Sequence, residues 1–195
     1  MIYICTEAHP SYTLECEHEI IDNNLCSFSD EYRHMRGIWQ LYNRPELPDE
    51  IGIFQKRRAL PIVVIPENFD VVVPECEWSC TMREQYIACG PYSHKPDPER
   101  DFDLVEHIIA EQSFSEYIRM PNNSECYWHN MFIMKKEGFI KYCEFMFAVL
   151  FEKDRHVGPQ SDCFLAERIG SYWIWKNFAK EKTYRCNVLE FQKFN

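Results

Sequence analysis

Strands alternating with amphipathic helices predict an α/β fold, a central mixed β-sheet flanked by α-helices. Three observations carry the prediction. Asn130-Met-Phe-Ile-Met-Lys-Lys136 sets four apolar residues between a polar Asn and two lysines. A helical run from Glu137 to Phe151 follows at once, with Phe139, Tyr142, Cys143, Met146, Val149 and Leu150 on its apolar positions. Further short apolar runs, Ile2 to Thr6 and Ile51-Gly-Ile-Phe54, are separated by helical periodicity rather than by hairpin turns.

The elements follow in order. Ile2 to Thr6 reads as a first strand. Ser29-Asp30 supplies a helix cap, and Met35, Ile38, Trp39 and Tyr42 share one face of a helix ended by Asn43, Pro45 and Pro48. Ile51 to Phe54 is the next strand, with Arg57 and Arg58 just beyond it. Ile62 to Ile65 and Phe69 to Val73 read as further strands, and Glu75 to Glu99 as mostly loop. Asp101 or Asp103 is expected to cap a helix that turns Phe102, Val105 and Ile109 inward. After the Asn130 unit come a polar loop, a helix from Asp162 to Phe178 and a short final strand, Val188 to Phe191. With no repeat and no long linker, residues 1–195 are expected to form one domain.

Composition narrows the functional classes. Of the 195 residues 46% are hydrophobic and 15% aromatic, enough for a packed core. A net charge of −10 argues against a nucleic-acid surface, which needs clustered Lys and Arg. No run approaches a membrane span, and Met1 to Thr6 lacks the basic start of a signal peptide, so a cytoplasmic protein is expected. The ten cysteines include no C-x-x-C pair, and reduced, partly buried thiols are the expected state. There is no G-x-G-x-x-G, P-loop, H-E-x-x-H or G-x-S-x-G, which weighs against dinucleotide redox, kinase and serine-hydrolase chemistry.

In α/β sheets ligands gather at the carboxyl ends of strands, which directs attention to Thr6, Glu7, Gln55 to Arg58, Glu75 and His129-Asn130. Arg57-Arg58 is a tight arginine pair directly after a strand, suited to a diphosphate; the competing reading is a solvated basic turn. Asn130 and Glu75 are candidates for sugar hydroxyls, although an Asn also pins turns. Asp162 and Glu167, at the start of the last helix, are candidate catalytic carboxylates that take a proton from an acceptor hydroxyl or stabilise a cationic sugar. Asp101-Phe-Asp103 matches an Asp-x-Asp metal motif but opens a helix instead of ending a strand, so capping is favoured. His94 and Asp101 are acceptor-side candidates.

As a set, these segments resemble a family of small bacterial and viral glycosyltransferases tied to capsular polysaccharide synthesis. The likeness rests on Arg36-Gly-Ile-Trp-Gln-Leu-Tyr-Asn43, Ile51-Gly-Ile-Phe-Gln-Lys-Arg-Arg58, Asn130 to Lys136 with Tyr142-Cys143-Glu144, and Phe164-Leu-Ala-Glu-Arg168. It implies a GT-A-like (Rossmann-like) fold, with Thr6 on the nucleotide strand, Asn130 on the sugar-contacting strand and Asp162 or Glu167 on the acidic element. It is similar, more narrowly, to chlorella-virus enzymes that build capsid glycans. That likeness implies a UDP-sugar donor such as UDP-rhamnose, a glycan acceptor, manganese, the cytoplasm of a host cell, and a place within a longer multi-domain protein. One departure stands out. Where the family fold carries Asp-x-Asp, this chain has Gln55-Lys56-Arg57, and Gln55 also replaces the family's His. Either Arg57 and Arg58 replace some of the metal's charge, or carboxylates such as Glu75 or Asp101 hold it from elsewhere, so the metal ligands are unknown. The competing functional classes are a non-catalytic binding or scaffolding module and a thiol or zinc protein.

Overall fold

The computed structural model describes residues 1–6, 14–25, 33–75, 81–88, 97–111, 127–158 and 162–191, apart from the side chains of residues 128 and 162. Eight strands form one mixed sheet: β1 (Ile2–Thr6), β2 (His18–Asp22), β3 (Glu50–Gln55), β4 (Arg58–Ala59), β5 (Val71–Pro74), β6 (Phe132–Lys135), β7 (Thr183–Cys186) and β8 (Leu189–Glu190). The main order is β2-β1-β3-β6-β5-β7, with β4 and β8 branching from β3. Strand β1 runs parallel to β2 and β3, and β5 parallel to β7. Strand β6 lies antiparallel between β3 and β5. This polarity brings the carboxyl ends of β1, β2, β3, β5 and β7, and the start of β6, to one edge of the sheet.

Alternation along the strands divides the core in two. Tyr3, Cys5, Ile51, Ile53, Val71, Val73, Phe132 and Met134 face a large cluster that takes in most of the core residues of the helices. Those helices are α1 (His34–Tyr42), α2 (Met82–Ala88), α3 (Pro98–Glu111), α4 (Lys136–Val157) and α5 (Asp162–Asn177). Ile2, Ile4, Phe54, Val72 and Ile133 face the other side, where irregular chain at Leu14, Cys16, Ile62, Val63, Ile65 and Val188 covers them.

Several expectations need revision. Ile62 to Ile65 forms no strand: Pro61 and Pro66 bracket it, Val64 is 60% exposed, and its neighbours lie over the sheet instead of joining it. Strand β2 is new. The segment expected to be loop contains α2, opened by a reciprocal capping box in which the Glu84 N–H donates to Thr81 Oγ1 (3.1 Å) and the Thr81 N–H to Glu84 Oε2 (2.8 Å). Neither Asp101 nor Asp103 caps α3. The helix begins at Pro98, and Asp97 Oδ1 accepts from the Arg100 N–H at 3.0 Å, so Pro98 takes the first helical position, which has no need of an N–H. Helix α4 runs past Phe151 to Val157, where Gly158 adopts φ 75° and buried Lys153 Nζ donates to the Gly158 carbonyl at 2.9 Å. The expected cap at Ser29-Asp30 lies outside the described residues.

Helix α5 meets α4 and the lead-in to β6 through Gly170. A Cβ there would fall 2.8 Å from Tyr142 Oη and 2.9 Å from the Asn130 amide, two buried groups with no room to retreat. The expected outcome for Gly170→Ala is a loss of about 1–3 kcal/mol of stability, the usual cost of overpacking. Urea denaturation measures it, and a variant as stable as the parent would show that α5 shifts freely.

Candidate functional site

A surface cleft of about 200 Å³ opens at the carboxyl edge of the sheet. Its floor is Cys5 and Thr6 from the end of β1 and Asn23 just after β2. One wall is the start of α1, Arg33 and His34. The other is the turn after β3, Gln55 to Arg58. The turn exists because β3 and β4 pair antiparallel through Gln55 and Arg58, which leaves Lys56 and Arg57 at its tip. Arg57 is exposed; its carbonyl accepts the Phe191 N–H at 2.9 Å. Arg58 Nε donates to Glu190 Oε1 at 2.9 Å and is thereby fixed. The Arg33 guanidinium lies 5.8 Å from the centre of the Phe164 ring.

Asn23 is 2% exposed, and its Oδ1 has no hydrogen-bond partner among the described residues. A buried acceptor left empty is costly unless something completes it. Gly37 makes the approach possible, since a Cβ there would sit 2.6 Å from that oxygen and 2.7 Å from Cys5 Sγ.

Behind the wall of α1 lies a polar knot. With its oxygen turned toward α1, the Asn130 amide accepts from His34 Nε2 (2.8 Å) and the Glu167 N–H (3.2 Å). Its NH₂ then donates to Ala166 O (3.1 Å) and Tyr142 Oη (3.3 Å). The 3-10 turn that delivers Asn130 places His129 at φ 78° and Asn130 at φ 48°. Gln55 Nε2 donates to the His129 carbonyl, and Ser171 Oγ takes the Tyr127 N–H at 2.9 Å. Burial, then Arg33 and His129, push His34 down to about 4, so its ring is neutral. Burial, then Arg58 and Arg168, with Glu190 opposing, push His129 to about 4 as well. Burial raises the Glu167 carboxyl above its ordinary value against the pull of Arg168 and Arg58. Arg168, 1% exposed, donates to Glu167 Oε2 (2.9 Å) and Phe164 O (2.6 Å).

The sequence matches the model of a family described as Domain of unknown function (DUF4422) over residues 53–169, more than half of the chain. The chain belongs to that family. No curated protein matches it. Among solved structures, the fold is similar to the apo form of the WbbM bifunctional glycosyltransferase, with a TM-score of 0.76 at 15% identity. The match covers 98% of this chain and 45% of that one, so this chain spans less than half of that structure's length. Such a likeness shows the fold alone, the mixed α/β sheet described above.

In this DUF4422 chain the structure brings Thr6, Arg57 and Arg58 to one cleft and sets Asn130 and Glu167 directly behind it. Glu75 is exposed at the end of β5 on the same edge, its N–H bound to the Cys186 carbonyl at 2.7 Å. Asp101 is buried in the first turn of α3 and does not line the cleft, while Asp103 pairs with Arg83. Asp162 starts α5; its side chain, like the whole of His94, lies outside the described residues. Asn23, Arg33 and His34 were not singled out from sequence. Arg33 and His34 join the cleft only through the position of α1, and nothing local marks them.

Among the described residues, no group of three or more His, Cys, Asp or Glu side chains is arranged to hold a metal ion. Among the described residues the donors around the cleft are amides, a hydroxyl, the protonated Cys5 thiol, the His34 ring already bonded to Asn130, and cations; with no carboxylate, this set does not suit the manganese that the resemblance implies. Burial also pushes the Cys5 thiol to about 12 and the Cys186 thiol to about 11, away from redox reactivity. No helix among the described residues is long and apolar enough to cross a membrane.

The depressed His34 value carries a pH signature. On acidification the unfolded chain takes up this proton near 6.5 but the folded one only near 4. Stability from His34 is thus complete above about 6.5 and lost as pH falls toward 4, by about 3 kcal/mol at about 1.4 kcal/mol per pKa unit. Glu167 has the opposite sign, its contribution fading as pH rises through its elevated value. The difference between the parent and His34→Gln isolates the histidine. Denaturation from pH 7 to 4 is expected to show a gap that narrows on acidification; a constant gap would mean that His34 titrates normally.

Proposed function

We propose that the chain is a glycosyltransferase that moves a hexose or a 6-deoxyhexose such as rhamnose from a UDP-sugar to a glycan acceptor. The observation that carries the reading is the meeting of Thr6, Arg57 and Arg58 at the carboxyl edge of a sheet shared with a glycosyltransferase. A nucleotide-sugar presents what this cleft would recognise, since its diphosphate suits guanidinium forks and its hydroxyls suit the polar side chains of Thr6 and Gln55.

In the transfer, an acceptor hydroxyl oxygen bonds to the anomeric carbon while that carbon's bond to the phosphate oxygen breaks. The electron pair stays on the departing diphosphate, where Arg57 and Arg58 stabilise it. The acceptor proton passes to a carboxylate, for which Glu167 and Asp162 are the candidates; the raised value of Glu167 moves it toward the range useful to a base. Asn130 then acts as a positioning residue, its amide spent on His34, Tyr142 and α5. Glu75, on the same edge, is the candidate for donor-sugar hydroxyls. The donor and acceptor identities rest on the family resemblance.

Calorimetric titration with UDP, GDP and CMP tests the reading, with UDP expected to bind. Arg58→Ala should weaken UDP binding by roughly 1.5–3 kcal/mol, the range for a charged hydrogen bond. Failure of all three nucleotides would remove the transferase reading; unchanged UDP affinity in Arg58→Ala would move the diphosphate elsewhere.

A further inference from the structure

We infer that this cleft neutralises the diphosphate of its ligand with protein cations alone, without a divalent metal ion. The inference rests on the glycosyltransferase reading and deepens it. Four cationic side chains line the cleft, Arg33, Lys56, Arg57 and Arg58, and among the described residues no carboxylate does. Among the described residues, the carboxylates paired beside these cations are Glu190 with Arg58 at 2.9 Å and Glu167 with Arg168 at 2.9 Å, while Glu75 is exposed at the end of β5 and does not line the cleft. A hard divalent ion binds through anionic oxygens, usually with at least one carboxylate. Here, among the described residues, it would meet four positive charges and no anionic partner in the lining.

The cations differ in what they are free to do. Arg58 is held by Glu190. Lys56 and Arg57, at the tip of the turn, have no ion-pair partner among the described residues, in a protein with ten more acidic than basic groups. Unpaired cations are unusual amid such an excess, and they sit where β3 ends beside β1. The start of α1 adds its own positive potential to the same wall. With His34 and His129 uncharged near neutral pH, the site's positive charge stays constant there. Two departing phosphates would therefore find their counter-charge already in place, and a metal would have to displace it.

The test is titration of the whole chain with UDP and with inorganic pyrophosphate, once in EDTA and once in manganese. UDP is expected to bind equally in the two buffers, within about threefold, and pyrophosphate to compete in EDTA. The combined Lys56→Gln and Arg57→Gln variant, with its melting temperature checked against the parent, is expected to lose at least about tenfold in UDP affinity, which manganese does not restore. Binding seen only with manganese would overturn the inference and leave the transferase reading intact. So would parental UDP affinity in a folded double variant. No binding of UDP, GDP or CMP in either buffer would overturn both.

Discussion

The Asn130 amide is the constraint on which the rest of the site depends. Its four contacts tie the lead-in of β6 to His34 on α1, Tyr142 on α4, and Ala166 and Glu167 on α5. Three helices and one strand thus meet through one side chain that is 4% exposed. Each buried contact left unmade would cost on the order of 1–3 kcal/mol, so the four are made together or the packing opens. The preceding turn is bent to reach this arrangement, with two successive non-glycine residues in the left-handed region. Asn tolerates that region better than most residues; His does so at some cost. The Gln55 bond to the His129 carbonyl and the Ser171 bond to the Tyr127 N–H hold the turn in place.

That knot also decides the electrical state of the cleft. An imidazole whose Nε2 proton is bonded to a buried amide, in a desolvated site beside Arg33, resists a second proton. Its neutrality keeps the wall of α1 from adding a pH-dependent charge beside Arg33. On the far side, Glu167 and Arg168 balance each other in the interior, and Arg58 and His129 reach the same region from the front. Cleft and knot are therefore two faces of one polar layer between the sheet edge and α5. Packing changes at Gly170 would be felt at His34 through Asn130.

Much of the architecture is legible in the residues, because apolar periodicity is a strong local signal. Strands β1, β3 and β6 and helices α1, α4 and α5 fall where their patterns place them. The sheet edge follows, since strand polarity is enough to bring Thr6, Gln55, Glu75 and Asn130 to one side. Strand β2 escapes notice because it sits at the edge, buries little besides Ile21, and reads His-Glu-Ile-Ile-Asp. Helix α2 is missed although Thr81-x-x-Glu84 is a helix-start signal; the surrounding prolines and cysteines outweighed it. Residues 62–65 mislead for the opposite reason. Their apolar run is real, but it covers the sheet instead of extending it. Asn23 is beyond sequence reasoning altogether, because an acceptor without a partner is a property of three-dimensional surroundings.

The charge balance shows why a cationic cleft works on an acidic protein. At physiological ionic strength the screening length is about 8 Å, so carboxylates elsewhere on the surface act weakly on an anion in the cleft. Contacts at hydrogen-bond distance are hardly screened. The overall excess of negative charge would slow the approach of any anionic ligand somewhat, yet it would leave the bound state to local groups. Those groups are graded. Arg58 is rigid through Glu190, Arg33 is steadied against Phe164, and Lys56 and Arg57 remain adjustable at the tip of the turn. In the transfer proposed above, the fork held by Glu190 would set where a phosphate sits, and the antiparallel closure of β3 onto β4 puts Lys56 and Arg57 at the turn beside it.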